Sequence, residues 1–349
     1  MLSKKWSGDK KELEFVEDPY CQRVFAAFLR FLYCNRILLH PENALPVLIL
    51  ADKYNVNSLK KPLINACIKV LAWHFEEMIV SEEWEKEWLS VDRDQLVELL
   101  KSNDLVLSIS SNEFRLWEAV QRWLTASSHP ERRGSTASPL LASIIPFIKF
   151  PFMTADELTT IVERSPLVDL HPKLFHPQIL LAYIFQALPL ASRANCKEFS
   201  GSQFILRNYT DIRWDRRITV RIDDLRHDRT IDQTYNITTR SSTSPLQAWN
   251  WKLKLTGQFA PNLYEELKMF LVADDIDQPR SIEYLMQIVG ERKVIRSFSS
   301  KKNFTKTRLA SYGADVEIEK IDLGELYADN SPLLVNGELH LQIMLRPID

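Results

Sequence analysis

The chain has 349 residues, of which 45% are hydrophobic and 26% are charged, and its formal net charge is only −2. A chain of this length and apolar content can bury the cores of two or three domains, which excludes an intrinsically disordered protein. Because the charges nearly cancel, no global field favours nucleic acid or an anionic membrane, and we expect no nucleic-acid partner.

The scarcity of glycine and the spacing of cysteine exclude further classes of protein. Only 8 glycines occur, which argues against the Gly-rich phosphate loops of nucleotide enzymes. No C-x-x-C pair is present among the cysteines, which are Cys21, Cys34, Cys67 and Cys196. The sequence therefore predicts reduced thiols, and neither a zinc site nor a disulfide framework.

The first residues, "MLSKKWSGDKKELEF", are polar and lack the apolar core of a signal peptide. The sequence as written therefore predicts a cytoplasmic protein. The most apolar helical stretch, "HPQILLAYIFQALPLA", is shorter than the roughly 20 residues that cross a bilayer. We expect it to lie in a protein core, without membrane insertion.

From about residue 19 to residue 190 the apolar residues recur at helical spacing. Helices are expected near Pro19, from Glu42, and after a cap at Asn57 or Ser58. More helices are predicted in "DRDQLVELLKS", "SNEFRLWEAVQRWLTA", "SPLLASIIPFIKF" and "TADELTTIVERSPLV". In the last of these, Thr154 and Glu157 have the spacing of a capping box. Short helices with short connections indicate a compact helical array.

After about residue 195 the hydrophobic period changes to two, which is typical of half-buried antiparallel strands. In "AWNWKLKL" Trp249 and Trp251 are expected in the core. In "ELHLQIMLRPI" the apolar residues are expected to face the core, whereas His340, Gln342 and Arg346 face outward. Further strands are predicted in "RRITVRID", "TYNITTRS", "EELKMFLVAD", "IEYLMQIVG" and "ADVEIEKIDL". So many short strands predict a β-sandwich.

Several stretches resemble a known family. Residues 28–59, "FLRFLYCNRILLHPENALPVLILADKYNVNSL", resemble the C-terminal part of a BTB/POZ domain. The stretches "WLSVDRDQLVELLKSNDLVLSISSNEFRLWEAVQRWL" and "IKFPFMTADELTTIVERSPLV" are similar to a BACK domain. With "GSQFILRNYTDIRW" and "LLVNGELHLQIMLRPI" added, the chain resembles BTB-BACK proteins whose C-terminal part is classed as TRAF-like.

The resemblance implies a multidomain α+β protein, a helical array followed by an antiparallel β-sandwich. The expected domains are a partial BTB/POZ domain at 1–70, a BACK domain at 71–192 and a TRAF-like sandwich at 200–349. The family's BTB domain begins with a segment for which this sequence has only about ten residues. We therefore expect that its N-terminal half is missing and that the apolar faces around Phe25, Phe28 and Leu48 are partly uncovered.

By the same resemblance, the chain is expected to be a non-enzymatic adaptor for protein–protein interactions. The resemblance implies that an intact BTB-BACK pair would dock onto a cullin 3 type ubiquitin ligase scaffold and that the TRAF-like domain would bind a peptide-like substrate along a strand edge or shallow groove. The homodimer of this family is expected only if the full BTB domain is present.

No catalytic or metal-binding arrangement is predicted. His171 and His176 in "HPKLFHP" are five residues apart beside prolines, so they do not match the helical zinc spacing. We expect them in a loop or at a helix cap. No nucleophile motif or phosphate loop accompanies them, so no cofactor is expected.

Two sets of residues have alternative interpretations. Residues 291–308 concentrate basic side chains, and Lys301, Lys302, Lys306 and Arg308 form a possible contact patch. The alternative is a solvated hairpin whose charges protect a strand edge. Three N-x-[ST] sequons occur, at Asn208, Asn236 and Asn303. If the N-terminus is incomplete, the alternative to the adaptor is a secreted or cell-surface glycoprotein that mediates extracellular interactions.

Overall fold

The fold is taken from a computed structural model. The structure describes residues 16–38, 41–102, 105–107, 112–134, 137–209, 214–221, 230–240, 248–258, 266–274, 279–305 and 315–348. The chain divides into two compact units, one ending at Ala72 and the other beginning at Trp73. The predicted limits of the three domains stay predictions.

In the part of the first unit that the structure describes, the helices are α1 (Pro19–Cys34), α2 (Pro41–Lys53) and α3 (Asn57–Trp73). Asn35 follows α1 with a φ of 51°, and Asn55 follows α2 with a φ of 53°. Asparagine tolerates this left-handed conformation better than most residues, so each turns the chain after its helix.

The core of the first unit comes from the apolar stripe of α1 and the facing sides of α2 and α3. Its buried residues are Cys21, Phe28, Phe31, Val47, Leu50, Ala51, Leu59 and Leu63. The expectation of uncovered apolar faces is wrong for Phe28, which is fully buried. Phe25 and Leu48 are half-buried and pack against this core.

The second unit begins with short helices, and their order agrees with the predicted helical array. They are α4 (Phe75–Val80), α5 (Glu85–Ser90), α6 (Arg93–Lys101), α7 (Glu113–Thr125), α8 (Ser138–Ile144), α9 (Ala155–Glu157), α10 (Pro166–Leu170), α11 (Pro172–Ala187) and α12 (Leu190–Asn195). The predicted capping box of Thr154 and Glu157 is confirmed. A second capping box, of Asp92 and Gln95, begins α6.

Aromatic residues fill the core of these helices. The rings of Trp117, Phe150 and Phe175 lie with centroids 5.6 to 6.5 Å apart. The apolar stretch of α11 belongs to this core on one face only, since Leu180 and Ile184 are 60% and 39% exposed.

The strands follow the helices in the same unit. They are β1 (Val106–Leu107), β2 (Asn208–Tyr209), β3 (Asp215–Arg221), β4 (Thr230–Arg240), β5 (Ala248–Gln258), β6 (Glu266–Asp274), β7 (Arg280–Val289), β8 (Val294–Phe304), β9 (Asp315–Asp322), β10 (Leu334–Val335) and β11 (Glu338–Pro347), with α13 (Leu323–Leu326) after β9. Asn336 and Gly337, with φ of 53° and 80°, form the turn from β10 to β11.

The long strands form two antiparallel sheets. In the first sheet β11 lies between β3 and β7, and β8 pairs with the far side of β7, while the short β10 pairs with the beginning of β11. The second sheet has the order β4-β5-β6-β9. Their facing side chains form one core in which Trp249 and Trp251 are 4% and 0% exposed, so both predicted core tryptophans are confirmed. The predicted α+β class, helices followed by antiparallel sheets, is also confirmed.

The second face of β11 is more buried than predicted. Leu339, Leu341, Ile343 and Leu345 face the sandwich core as expected. His340 and Gln342 point to the other side but are only 6% and 0% exposed, and Gln342 is covered by residues 204 and 206, to which it is hydrogen-bonded. The prediction that His340 and Gln342 face solvent is therefore wrong, and Arg346 is only half-exposed.

Candidate interaction surface

A short segment, residues 204–209, fixes the sandwich to the helices within the second unit. Its end, β2, pairs in parallel with β1, which lies between α6 and α7. In the same segment the guanidinium of Arg207 donates a 2.8 Å bond to Glu113 Oε1. It also donates to the carbonyls of Leu100 and Phe147, at 2.8 and 2.7 Å.

A second buried cation adjoins this pair. The Lys149 ammonium donates to the carbonyl of Ile205, and the Lys149 N–H donates to Glu113 Oε2 at 3.4 Å. Burial and the neighbouring Arg207 charge lower the pKa of Lys149 well below its usual range, although Glu113 opposes the shift. We refer to Glu113, Lys149 and Arg207 as the buried ion cluster.

The sheet side of the segment is held by amides. Gln342 accepts a 2.8 Å bond from the Leu206 N–H and donates to the Phe204 carbonyl at 3.0 Å. Its amide also donates to Gln287 Oε1 at 2.6 Å. Buried polar groups connected in this way favour one arrangement of the packed parts. The helices and the sandwich of this unit are therefore joined by specific bonds.

Metal-binding clusters and membrane-spanning helices are both absent from the described residues. Within them, no group of three or more His, Cys, Asp or Glu side chains could hold a metal ion. Likewise, none of the helices in the described ranges has the length and apolarity needed to cross a membrane. His171 lies at the start of α11, where its ring contacts Ser138 and the Gly134 carbonyl, both at 3.0 Å.

Strand edges are the most distinctive surface of the sandwich, because backbone groups there can pair with another chain. Three of the long edges carry protective features. Strand β3 is beside residues 204–207, and its Arg217 donates to the Leu206 carbonyl. Strand β8 carries Lys301 and Lys302 and packs against residues 197–200. Strand β9 is rich in Asp, Glu and Lys, and its pairing with β6 contains a bulge after Met269.

The fourth long edge is β4. It pairs with β5 in continuous register from Thr230 opposite Gln258 to Arg240 opposite Ala248. Residues 233–239 of β4, "QTYNITT", contain neither a charged residue nor a proline. Among the described strands, only β5 is hydrogen-bonded to β4. The regular stretch 233–239 of this edge is the candidate interaction surface.

The predicted sequon asparagines lie far apart in the structure. Asn208 is in β2, half-buried and paired with Val106. Asn236 is exposed in the middle of β4, and Asn303 is exposed near the end of β8. The structure therefore brings only Asn236 to the candidate surface.

The predicted basic patch is described only in part. Lys301 and Lys302 are consecutive in β8, opposite Glu283 and Ile282 of β7, so their side chains point to opposite faces of the sheet. Lys306 and Arg308 lie outside the described residues.

The sequence reasoning missed the residues that join helices and sandwich. The stretch "GSQFILRNYT" supports a resemblance but predicts no role for Arg207, and strand alternation predicts that Gln342 faces outward. No local pattern marks either residue, since their partners are 94 and 138 positions away.

Comparison with known proteins supports the resemblance. The family model described as "BACK: BTB And C-terminal Kelch" matches residues 44–163. The chain is 22% identical to BTB/POZ domain-containing protein 17 of Xenopus tropicalis, over 97% of this chain and 80% of the relative. It is 24% identical to the protein of the same name from Xenopus laevis, over 69% of this chain and 55% of the relative.

A second group of relatives has a different name. Galectin-3-binding protein of Pongo abelii is 30% identical over 44% of this chain and 24% of the relative. The chain thus spans about half of the Xenopus laevis relative and about a quarter of the Pongo abelii one. Through its BACK region and these homologues, the chain is similar to BTB-BACK proteins such as BTB/POZ domain-containing protein 17.

Proposed function

We propose that the chain is a non-enzymatic adaptor that docks onto a cullin 3 type ubiquitin ligase scaffold and presents a substrate on a TRAF-like sandwich. The observation that carries the proposal is the set of bonds joining the BACK helices to the sandwich. An adaptor has to hold its substrate in a defined place relative to the ligase, and the buried ion cluster together with Gln342 provides such a connection.

The BACK match supports the docking part of the proposal, since relatives with this domain are interaction proteins. Two antiparallel sheets support the TRAF-like assignment. In this scheme the substrate contributes an extended peptide, which would bind along a strand edge or shallow groove of the sandwich. Main-chain hydrogen bonds would give affinity and side-chain pockets specificity.

A pull-down against purified cullin 3 scaffold tests the docking. Two proteins are compared, the chain itself and a chimera that carries the first part of the Xenopus tropicalis relative ahead of Pro19. We expect the chimera to be retained by the scaffold. If neither protein is retained, while a known BTB adaptor is, the adaptor proposal is wrong.

A secreted or cell-surface glycoprotein is the second candidate. Two observations favour it: the exposed side chains of Asn236 and Asn303, and relatives named galectin-3-binding protein. Mass spectrometry of protein from its native source, with and without enzymatic removal of N-glycans, tests this function. Glycans on these asparagines would support it, and unmodified asparagines in all molecules would contradict it.

A further inference from the structure

Residues 204–209 and the side chains that bind them, which we call the joint, hold more positive than negative charge. Lys149, Arg207 and Arg217 are only 8%, 2% and 9% exposed, and each donates to a backbone carbonyl in or beside this segment. Among the described residues, both guanidiniums and a single carboxylate, that of Glu113, act on the Lys149 amine. Protonation of Lys149 therefore sets three buried positive charges against one negative charge.

The carboxylate of Glu113 does not pair with the Lys149 amine. Its Oε1 forms an ion pair with Arg207 Nε at 2.8 Å, and its Oε2 accepts from the backbone N–H of Lys149. The Lys149 amine donates instead to the carbonyl of Ile205. An ammonium has three N–H donors and is costly to bury without an anion beside it. An uncharged amine makes the same bond to Ile205 without this cost.

The sheet side of the joint adds little negative charge near Lys149. Arg217 of β3 is close enough to His340 of β11 for its charge to lower the pKa of the imidazole. Gln342, which bonds the segment from β11, is neutral. Glu338 lies 3.8 Å from His340, but it is half-exposed and is not among the groups that act on Lys149.

Burial and like charge both act against the ammonium form of Lys149. Together they lower the pKa of Lys149 well below its usual range, whereas in the unfolded chain the ordinary value of about 10.4 applies. Between the two values the unfolded state binds more protons than the folded state, so the free energy of unfolding rises with pH. This contribution is complete above about pH 10.4 and is lost as the pH falls to the folded pKa.

We propose that Lys149 is a proton switch for the joint, which is tight when the Lys149 amine is uncharged and loosens when the amine takes up a proton from solvent. The bond to Ile205 connects the amine directly to the segment that carries β2. This proposal rests on the geometry of the joint and is independent of docking to cullin 3.

An NMR titration of the full chain, labelled with carbon-13 at the lysine Cε, tests the charge of Lys149. Among the described lysines Lys149 is the buried one, so a soluble paramagnetic agent should broaden its signal least. We expect this signal to show an uncharged amine at a pH at which the lysines of the denatured chain are still charged, and to change on acidification. A Lys149 signal that titrates together with the denatured chain, near pH 10.4, overturns the proposal.

The substitution Lys149→Met tests the coupling to stability, since it removes the amine but keeps a long side chain. Lys86→Met, at an exposed position of α5, is the matched control. Relative to Lys149→Met, the unfolding equilibrium constants of the parent and the control should fall with rising pH by up to about tenfold per pH unit. Equal pH dependence of the three proteins contradicts the proposal. The NMR titration uses the unchanged chain, so it decides even if Lys149→Met does not fold.

Hydrogen exchange tests whether the effect is centred on the joint. In the parent, the amides of residues 204–209 should lose protection on acidification to a greater degree than those of residues 251–255, which lie in β5. Lys149→Met should abolish this difference. Equal loss at both places would show that Lys149 affects only overall stability, which contradicts a switch at the joint. None of these results changes cullin 3 retention at a fixed pH, so this proposal and the adaptor function can fail separately.

Discussion

Glu113 is the residue on which the junction of helices and sandwich most depends. Its carboxylate is fully buried, pairs with the Arg207 guanidinium and accepts from the backbone N–H of Lys149, and its charge also acts on the buried Lys149 side chain. A buried ion pair adds little net stability when compared with apolar residues of similar size, but removal of one partner leaves an uncompensated buried charge. Loss of this single carboxylate should therefore lower the stability of the protein more than loss of an exposed ion pair would.

Replacement of Glu113 by Gln should lower the free energy of unfolding by about 3 to 5 kcal/mol, because Arg207 and Lys149 lose their counter-charge. Chemical denaturation at neutral pH measures the change. Glu118→Gln is the matched control on α7, since Glu118 pairs with Arg115 at the surface. The control should cost less than about 1 kcal/mol, and equal effects of the two substitutions would contradict the role given to Glu113.

His340 should make stability depend on pH. Burial, with a contribution from the nearby Arg217 charge, lowers the pKa of His340 to about 4. The unfolded chain takes up this proton near the ordinary pKa of about 6.5, so between these values the unfolded state binds more protons. Its contribution to stability is therefore complete above about pH 6.5 and is lost as the pH falls towards 4.

The substitution His340→Gln isolates this contribution. The ring of His340 contacts Thr219 at 3.1 Å, and Glu338 lies 3.8 Å away. Denaturant unfolding at pH 7 and at pH 5 should show a smaller loss of stability for the variant than for the parent. Identical losses would show that His340 does not account for the pH dependence.

At the scale of the element, the caps of the helices follow from local sequence. Asp92 accepts from the Gln95 N–H at 2.8 Å, and the Gln95 side chain accepts from the Asp92 N–H at 3.3 Å. Thr154 and Glu157 repeat this arrangement. Such bonds involve residues only three positions apart, so sequence spacing suffices to predict them.

Loss of the cap of α6 should have a moderate cost. We expect Asp92→Ala to lower the free energy of unfolding by about 1 kcal/mol, since the orphan N–H groups of the first turn lose their acceptor. Glu98→Ala, which removes an exposed pair with Lys101 in the same helix, should cost less than half as much. Thermal unfolding of the two variants compares them, and a larger effect of the control would rule out the cap as the cause.

The same local reasoning explains which parts of the fold could be predicted. The hydrophobic period of the sequence distinguished the helices from the strands and predicted that Trp249 and Trp251 lie in the core. The hydrophobic period does not reveal what covers the second face of a strand. For this reason Gln342 was wrongly predicted to face outward. Strand β4 was predicted as a strand, but its position at an edge depends on the order of strands, which alternation does not encode.

At the scale of the whole molecule, helices from α4 onward and the sandwich belong to one compact unit. The bonds of Arg207, Lys149 and Gln342 cross from one to the other at several points. Parts that share buried polar bonds lose those bonds when either part unfolds. We therefore expect them to unfold together.

Fluorine NMR of the full chain labelled with 5-fluorotryptophan tests this cooperativity. Trp117 and Trp123 report on the helices, and Trp249 and Trp251 report on the sandwich, since all four are buried. Their native signals should disappear at the same temperature. Loss of the helical signals well before those of the sandwich would contradict a single cooperative unit.

The pairing of β1 with β2 has a consequence for synthesis of the protein. Val106 and Leu107 find their partners only at Asn208 and Tyr209, and Glu113 gains its guanidinium partner only at Arg207. A nascent chain that emerges from the ribosome as far as α12 has all of these helices but neither contact. The helical region should therefore remain incompletely folded, and a client for chaperones, until the first strands of the sandwich have been translated.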